Sequence, residues 1–197
     1  YFQAEEYLKV DSAKDFLKLL EEQIKSGEEC GYFFSKDLDQ KEIVGFVKKI
    51  LPIIHTHFFK KAAKLSRKER LDFIEIFYQF LVLKILDLLK PDTFTFSCKD
   101  GVDVGASTSA AFFGLVKLLG KDPNWSEEEQ DHLYWILCGP ALTVRERLVD
   151  YQRFSRMASS LSILTDGLTK DHDKILKALQ PLFSAKLFQK VQIDYNA

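Results

Sequence analysis

A cysteine at the end of a short apolar segment is the residue of this chain whose neighbours best suit covalent chemistry. Residues 93–97 alternate threonine and phenylalanine before a serine, which predicts a strand ending directly before Cys98. The loop after Cys98 contains two aspartates and two glycines, and a helix of small residues follows. Backbone amides of such a loop and the helix N-terminus lower the pKa of a thiol and bind a phosphate group. The segment therefore has the parts of a site at which a thiolate attacks a phosphate ester and a carboxylic acid protonates the leaving group.

The stretch from Cys98 to Asp103 resembles the Cys-x-Asp-Gly-x-Asp-Arg loop of the myotubularins. It is also similar to the corresponding loops of Sac-type phosphoinositide phosphatases and of bacterial effector inositol-phosphate phosphatases. The resemblance covers this loop and the helix-strand-loop-helix order around it. It implies that Cys98 is the position of the nucleophile, that Asp100 or Asp103 is the position of the acid, and that phosphoinositides or inositol phosphates are the substrates. The other residues of the implied phosphate loop are Lys99, Gly101, Val104 and Gly105.

Val104 departs from the pattern of those families, because their loops carry an arginine at this position. The arginine holds phosphate oxygens with its planar fork and stabilises the transition state. Loss of such a donor costs about 3–4 kcal/mol, or a factor of ~100–1000 in rate. We therefore expect the loop to be the relic of a phosphatase site that no longer has catalytic activity.

Two other interpretations of the Cys98 loop stay open. In the first, Cys98 is a buried cysteine at a strand end, an acidic turn follows it, and the chain has no phosphatase ancestry. In the second, the chain is an active phosphatase that takes its arginine from elsewhere, such as Arg145 or Arg153. An arginine side chain that reaches the loop would favour this second interpretation.

Basic residues are concentrated in two further segments. Residues 144–157 have two interpretations. They form a basic groove that binds a phosphate group or an acidic peptide, or they form a solvated face whose arginines pair with neighbouring acids. Residues 60–70 suit an anionic lipid or a protein partner, or only a solvated loop. Trp125 and Trp135 are predicted to be core residues or partly buried anchors. The arginines of the first segment are Arg145, Arg147, Arg153 and Arg156.

Charge and cysteine usage limit the classes of partner. The chain has 28 Lys and Arg against 29 Asp and Glu, a net charge of −1, which gives no general attraction to nucleic acid. Three cysteines without a C-x-x-C spacing argue against a disulfide framework and indicate a reducing compartment. That compartment would be the cytoplasm, or the host cytosol for a secreted effector.

No apolar run reaches the ~20 residues of a membrane span, so we expect a soluble protein. The histidines lack metal-ligand spacing, so we expect neither a metal nor a cofactor.

The periodicity of apolar residues predicts a mainly α fold with one strand or a small sheet at Cys98. Residues 1–3 resemble the end of a protease-cleavable tag. Residues 4–197 are expected to form a single, mostly helical domain cut from a longer protein. Helices are predicted over residues 12–26, 38–64, 71–89, 107–119 and 126–138. One or two helices are predicted in residues 141–165, and a final pair in 171–190. Capping boxes are predicted at Ser66 and Ser126, a kink or division at Pro52, and a break at Gly139-Pro140.

We expect first of all a non-catalytic interaction domain. It most resembles a pseudophosphatase-like domain of a secreted bacterial effector. Its expected partner is a protein. An anionic phosphate ligand and an anionic lipid are the alternative ligands. The alternatives are a plain α-helical protein-binding or scaffold domain and an active cysteine-dependent phosphatase acting on phosphoinositides or phosphoproteins.

Overall fold

The computed structural model describes residues 10–97, 101–120, 124–185 and 187. This part of the chain contains six α-helices, which confirms the mainly α fold class. Contacts divide the chain into two compact units, one up to Lys90 with Pro181–Ser184, and the other Pro91–Gln180. The first unit contains α1 Ala13–Lys25, α2 Gln40–Phe58 and α3 Arg67–Leu89. The second contains α4 Val104–Leu119, α5 Glu127–Arg145 and α6 Tyr151–Leu179.

α1 buries one face of its amphipathic pattern in the first unit. Phe16, Leu20 and Ile24 recur at helical spacing and are all buried. The side chain of Ser12 accepts a hydrogen bond from the first turn and caps the helix, as the sequence allows. An isolated antiparallel bridge between Ser12 and Lys64 ties the start of α1 to the segment before α3.

α3 provides much of the core of the first unit, as its nearly continuous apolar sequence predicts. The capping box is present: the Glu69 backbone N–H donates to Ser66 Oγ at 3.3 Å, and the Ser66 backbone N–H donates to Glu69 Oε2 at 2.7 Å. Phe73 packs edge-on against Phe16 of α1, with 5.4 Å between ring centroids. The fully buried aromatic residues of α3 are Phe73, Phe77 and Phe80.

Residues 93–97 do not form the predicted strand. Phe94 and Phe96 instead place their rings against Phe112 of α4, with centroid distances of 5.5 and 5.7 Å. An alternating sequence is not sufficient for a strand, because the backbone N–H and C=O groups also need a partner strand. In the described residues, the only extended pairing outside helices is the bridge at Ser12.

The predicted division at Pro52 and the predicted break at Pro140 are wrong, while a kink at Pro52 stays a prediction. α2 passes through Pro52 as one helix and ends at Phe58, and α5 passes through Pro140 to Arg145. A proline inside a helix removes one backbone donor, and packing on both sides can offset that loss. Buried residues flank each proline: Leu51 and Ile54 in α2, and Leu137 and Ala141 in α5.

α4 is a helix of small residues that packs closely against α5 and α6. A Cβ atom on Gly114 would lie 2.5 Å from Leu161 Cδ1 of α6, so the glycine permits this close approach. α4 also contacts α5 through an ion pair, in which Lys117 Nζ lies 2.6 Å from Glu129 Oε1. Glu129 belongs to the capping box at Ser126, which is present as predicted. α6 is continuous except at Asp171, whose backbone is not helical.

None of the helices in the described residues is long and apolar enough to cross a bilayer.

Candidate functional site

The predicted phosphate loop lies only partly within the described residues. Cys98, Lys99 and Asp100 fall outside them, so the places of the implied nucleophile and of one implied acid stay predictions. Gly101 has φ of +68°, in the left-handed region that glycine adopts without strain. Val102 is fully buried, so an apolar side chain anchors the loop directly before α4.

Asp103 binds the turn between α5 and α6, and its side chain does not cap α4. Its Oδ1 and Oδ2 atoms accept hydrogen bonds from Nη1 and Nη2 of Arg147 at 2.9 and 2.7 Å. The backbone N–H of Asp150 also donates to Asp103 Oδ1, at 2.8 Å. The two side chains form a bidentate, charge-assisted contact, called here the Asp103–Arg147 pair.

The Asp103–Arg147 pair lowers the pKa of Asp103 to about 2. The hydrogen bond from Arg147 is the largest cause, and burial acts in the opposite direction. The Asp150 N–H and the charges of Arg147 and Arg153 lower the pKa further. At neutral pH this carboxyl group is ionised, so it has no proton to give to a leaving group.

Val104 begins α4 with an exposed side chain, whereas Gly105 is buried. The position of the phosphatase arginine therefore carries a branched apolar group at the surface. Arg147 nevertheless reaches the loop through its contact with Asp103. Both of its Nη atoms serve that contact, and Nη1 also donates to the Leu148 carbonyl at 2.8 Å. Arg147 thus neutralises a loop carboxylate, and its Nη atoms are engaged within the protein.

The arginines of residues 144–157 do not share one helix. The sequence places Arg145 and Arg156 on a common face only if the helix is continuous, but α5 ends at Arg145. Glu146 then adopts φ of 50°, and α6 starts only at Tyr151. The structure therefore places Arg147 in the turn against Asp103, Arg145 at the end of α5, and Arg153 with Arg156 in α6.

The outer side of α5 carries an open apolar groove of about 390 Å³. Two of its aromatic lining residues are largely exposed, Trp135 at 69% and Tyr134 at 57%. Large apolar side chains that stay together in water usually mark a contact surface. We call this groove the α5 groove; its lining residues are Asp131, Tyr134, Trp135, Cys138, Gly139 and Leu142.

Gly139 shapes the α5 groove by making room for the indole ring of Trp135. A Cβ atom at Gly139 would lie 3.0 Å from Cε3 of Trp135, which is one helical turn earlier. The ring can therefore lie along the helix. Exposed apolar residues also continue in the sequence beyond the groove, at Val144, Leu148, Tyr151 and Phe154.

The prediction that Trp135 is a core residue or a partly buried anchor is wrong, since most of its side chain is in water. Trp125 is half-buried, and its ring lies 6.1 Å from that of Phe113, as predicted for an anchor. One signal in the sequence indicates an apolar surface on this helix without identifying its residues: α5 has apolar residues on all sides. Leu137 and Ala141 are buried on the side that faces the core, whereas Tyr134, Trp135 and Leu142 stay exposed.

Comparison with protein-family models, curated proteins and solved structures gives no match to this chain. In the described ranges, no three His, Cys, Asp or Glu side chains lie together as a metal site. Function has to be inferred from two features of the second unit, the Asp103–Arg147 pair and the α5 groove.

Proposed function

We propose that this chain is a non-catalytic protein-interaction domain that binds its partner through the α5 groove. The observation that carries the proposal is the exposure of Trp135 beside Tyr134 and Leu142 on one side of a helix. Tryptophan and tyrosine are the residue types that most often dominate binding energy at protein interfaces. Covering them removes apolar surface from water, which contributes about 25 cal/mol for each Å².

The Asp103–Arg147 pair supports the non-catalytic part of the proposal. A working phosphatase needs a guanidinium group directed at the substrate phosphate and a protonated acid near the leaving group. Here Arg147 is engaged with Asp103, and the same contact lowers the pKa of Asp103, which makes its protonated form still rarer. The resemblance of the Cys98 loop to phosphatase loops fits a pseudophosphatase ancestry, in which the former loop now joins α4 to the turn after α5.

One observation favours a second candidate function, an active cysteine-dependent phosphatase. Arg147 comes from outside the loop and reaches one of its residues, as a recruited arginine would. For catalysis it would have to leave Asp103 and turn toward Cys98. Hydrolysis of a phosphate ester that is abolished by Cys98→Ser would establish this function and contradict the proposed one.

Site-specific photo-crosslinking tests the interaction function. Tyr134 is replaced by p-benzoylphenylalanine, and the matched control carries the same group at Phe33, which is 78% exposed and lies in the first unit. After irradiation in a lysate of the source cells, we expect one identified adduct from position 134 and none from position 33. Trp135→Asp should abolish the adduct. An absence of specific adducts at position 134 would contradict the proposal.

A further inference from the structure

The α5 groove has the spacing of a surface that packs against another helix. Four of its lining residues follow each other at steps of three or four, and Arg145 extends the same stripe: Asp131, Trp135, Cys138 and Leu142. Cys138 is half-buried, since it lines the groove and also packs against the core. The stripe is about 21 Å long at the 1.5 Å rise of a helix. Such a face suits a second helix lying along α5.

Charges at the two ends of the stripe are opposite in sign. Asp131 is exposed at the N-terminal end, where Glu127 and Glu128 add further negative charge, and Arg145 is exposed at the C-terminal end. A helix that lies antiparallel to α5 and fits these ends must itself begin acidic and end basic. α5 has this order of charges, so it is complementary to an antiparallel copy of itself, whereas a parallel copy would bring like charges together.

The positions of the residues agree with twofold symmetry. Asp131 and Arg145 lie seven residues before and after Cys138, so an axis through Cys138 places each of them opposite the other in the second copy. The same axis places Tyr134 opposite Leu142 of the second copy. The small side chain of Cys138 would then lie at the crossing point, where the two helix backbones come closest.

We infer that the α5 groove binds a second copy of this chain, as an antiparallel α5–α5 contact with Cys138 at the twofold axis. This inference rests on the proposed interaction function, because it names the partner of the same surface. Trp135, Tyr134 and Leu142 would supply the apolar centre, and the two symmetric pairs of Asp131 with Arg145 would fix the direction.

Reversal of the charges tests the geometry of the dimer. Sedimentation velocity should give twice the 22.8 kDa chain mass for the wild type at micromolar concentration. Asp131→Arg and Arg145→Asp should each weaken the dimer by about tenfold or more, because two attractive pairs become repulsive. The double variant Asp131→Arg/Arg145→Asp should recover the wild-type dissociation constant, which also shows that the substitutions do not unfold the chain.

A cysteine crosslink gives an independent measurement. In a Cys30→Ser/Cys98→Ser background Cys138 is the remaining cysteine, and a short bis-maleimide should join two chains through it. Cys138→Ser in the same background is the matched control and should give no product. Crosslinking that is unchanged by Asp131→Arg would show a contact other than the one inferred.

A strictly monomeric wild type would overturn the dimer, and so would a dimer that neither charge reversal weakens. The photo-crosslinker at Tyr134 separates these outcomes from failure of the proposed function. An adduct with a different, identified protein would overturn the dimer and keep the interaction function. A monomer without any specific adduct would overturn both.

Discussion

Arg147 binds Asp103 through both of its Nη atoms, at 2.9 and 2.7 Å, and so joins the N-terminus of α4 to the turn between α5 and α6. The two residues are 44 positions apart in the sequence. The resemblance to phosphatase loops implies an acid at Asp100 or Asp103, and in the structure Asp103 binds Arg147. The pair lowers the pKa of Asp103 still further below neutral pH and holds the turn that follows α5 against the start of α4.

Removal of the Arg147 guanidinium should destabilise the second unit. We expect Arg147→Ala to lower the free energy of unfolding by about 1 kcal/mol, the upper end for a partly exposed ion pair, because its geometry is bidentate. The control is Lys18→Ala, which removes an exposed contact of 3.8 Å with Glu22 and should change stability little. Urea denaturation followed by circular dichroism gives both values. Equal effects of the two substitutions would contradict a structural role for the pair.

The pH dependence of stability should carry the signature of Asp103. Its pKa falls from 3.8 to about 2 on folding, so its ionised form stabilises the folded state above the unfolded pKa. This contribution should be constant above about pH 5 and disappear as the pH falls toward 2. The measurement is the difference in unfolding free energy between the wild type and Asp103→Asn at each pH.

Glu69 also has a lowered pKa, because Ser66 donates hydrogen bonds to it. It is present in both proteins, so it cancels from the difference between the wild type and Asp103→Asn. A difference that stays constant from pH 7 to pH 2.5 would show that Asp103 is not held by Arg147 in solution.

Two glycines inside helices should respond to alanine in opposite directions. Gly114→Ala places a Cβ atom 2.5 Å from Leu161 Cδ1, and we expect a net loss of about 1 kcal/mol after the gain in helix propensity. Gly45→Ala in α2 meets no atom within 4 Å and should stabilise by about 0.5–1 kcal/mol. In a Leu161→Ala background the penalty at Gly114 should disappear. Stabilisation by both alanines would mean that α4 and α6 lie further apart.

Local features of the fold could be predicted from the sequence, and long-range ones could not. The capping boxes at Ser66 and Ser126 need only residues within one turn, and both are present. The predicted break at Pro140 is wrong because burial of its neighbours against α4 and α6 outweighs one lost backbone bond. The strand at residues 93–97 is wrong because its phenylalanines pack on Phe112 and no neighbouring strand is present in the described residues.

In the candidate sites, too, local features could be predicted from the sequence and long-range contacts could not. A loop of glycines and acids is visible in the sequence, but the partner of Asp103 depends on a turn 44 residues later. The exposure of Trp135 depends on which side of α5 faces the core, and apolar residues on every side of that helix leave this undecided. Such a helix predicts an apolar surface without identifying the residues that stay in water.

Activity measurements should give no hydrolysis of phosphoinositides or of p-nitrophenyl phosphate by the wild type. The physical reason is that Val104 supplies no guanidinium group and the Nη atoms of Arg147 are committed to Asp103 and Leu148. Val104→Arg adds the missing group at the exposed start of α4, where it can turn toward the loop.

If the loop derives from a phosphatase, Val104→Arg should produce turnover that Cys98→Ser abolishes, and loss of such a donor accounts for a factor of ~100–1000. Val104→Lys is the matched control, because lysine carries the same charge without the planar fork and should recover less activity. Turnover by the wild type that depends on Cys98 would contradict the non-catalytic function. Complete inactivity of Val104→Arg, with its fold intact by circular dichroism, would remove the support for a phosphatase ancestry and leave the interaction function to the α5 groove.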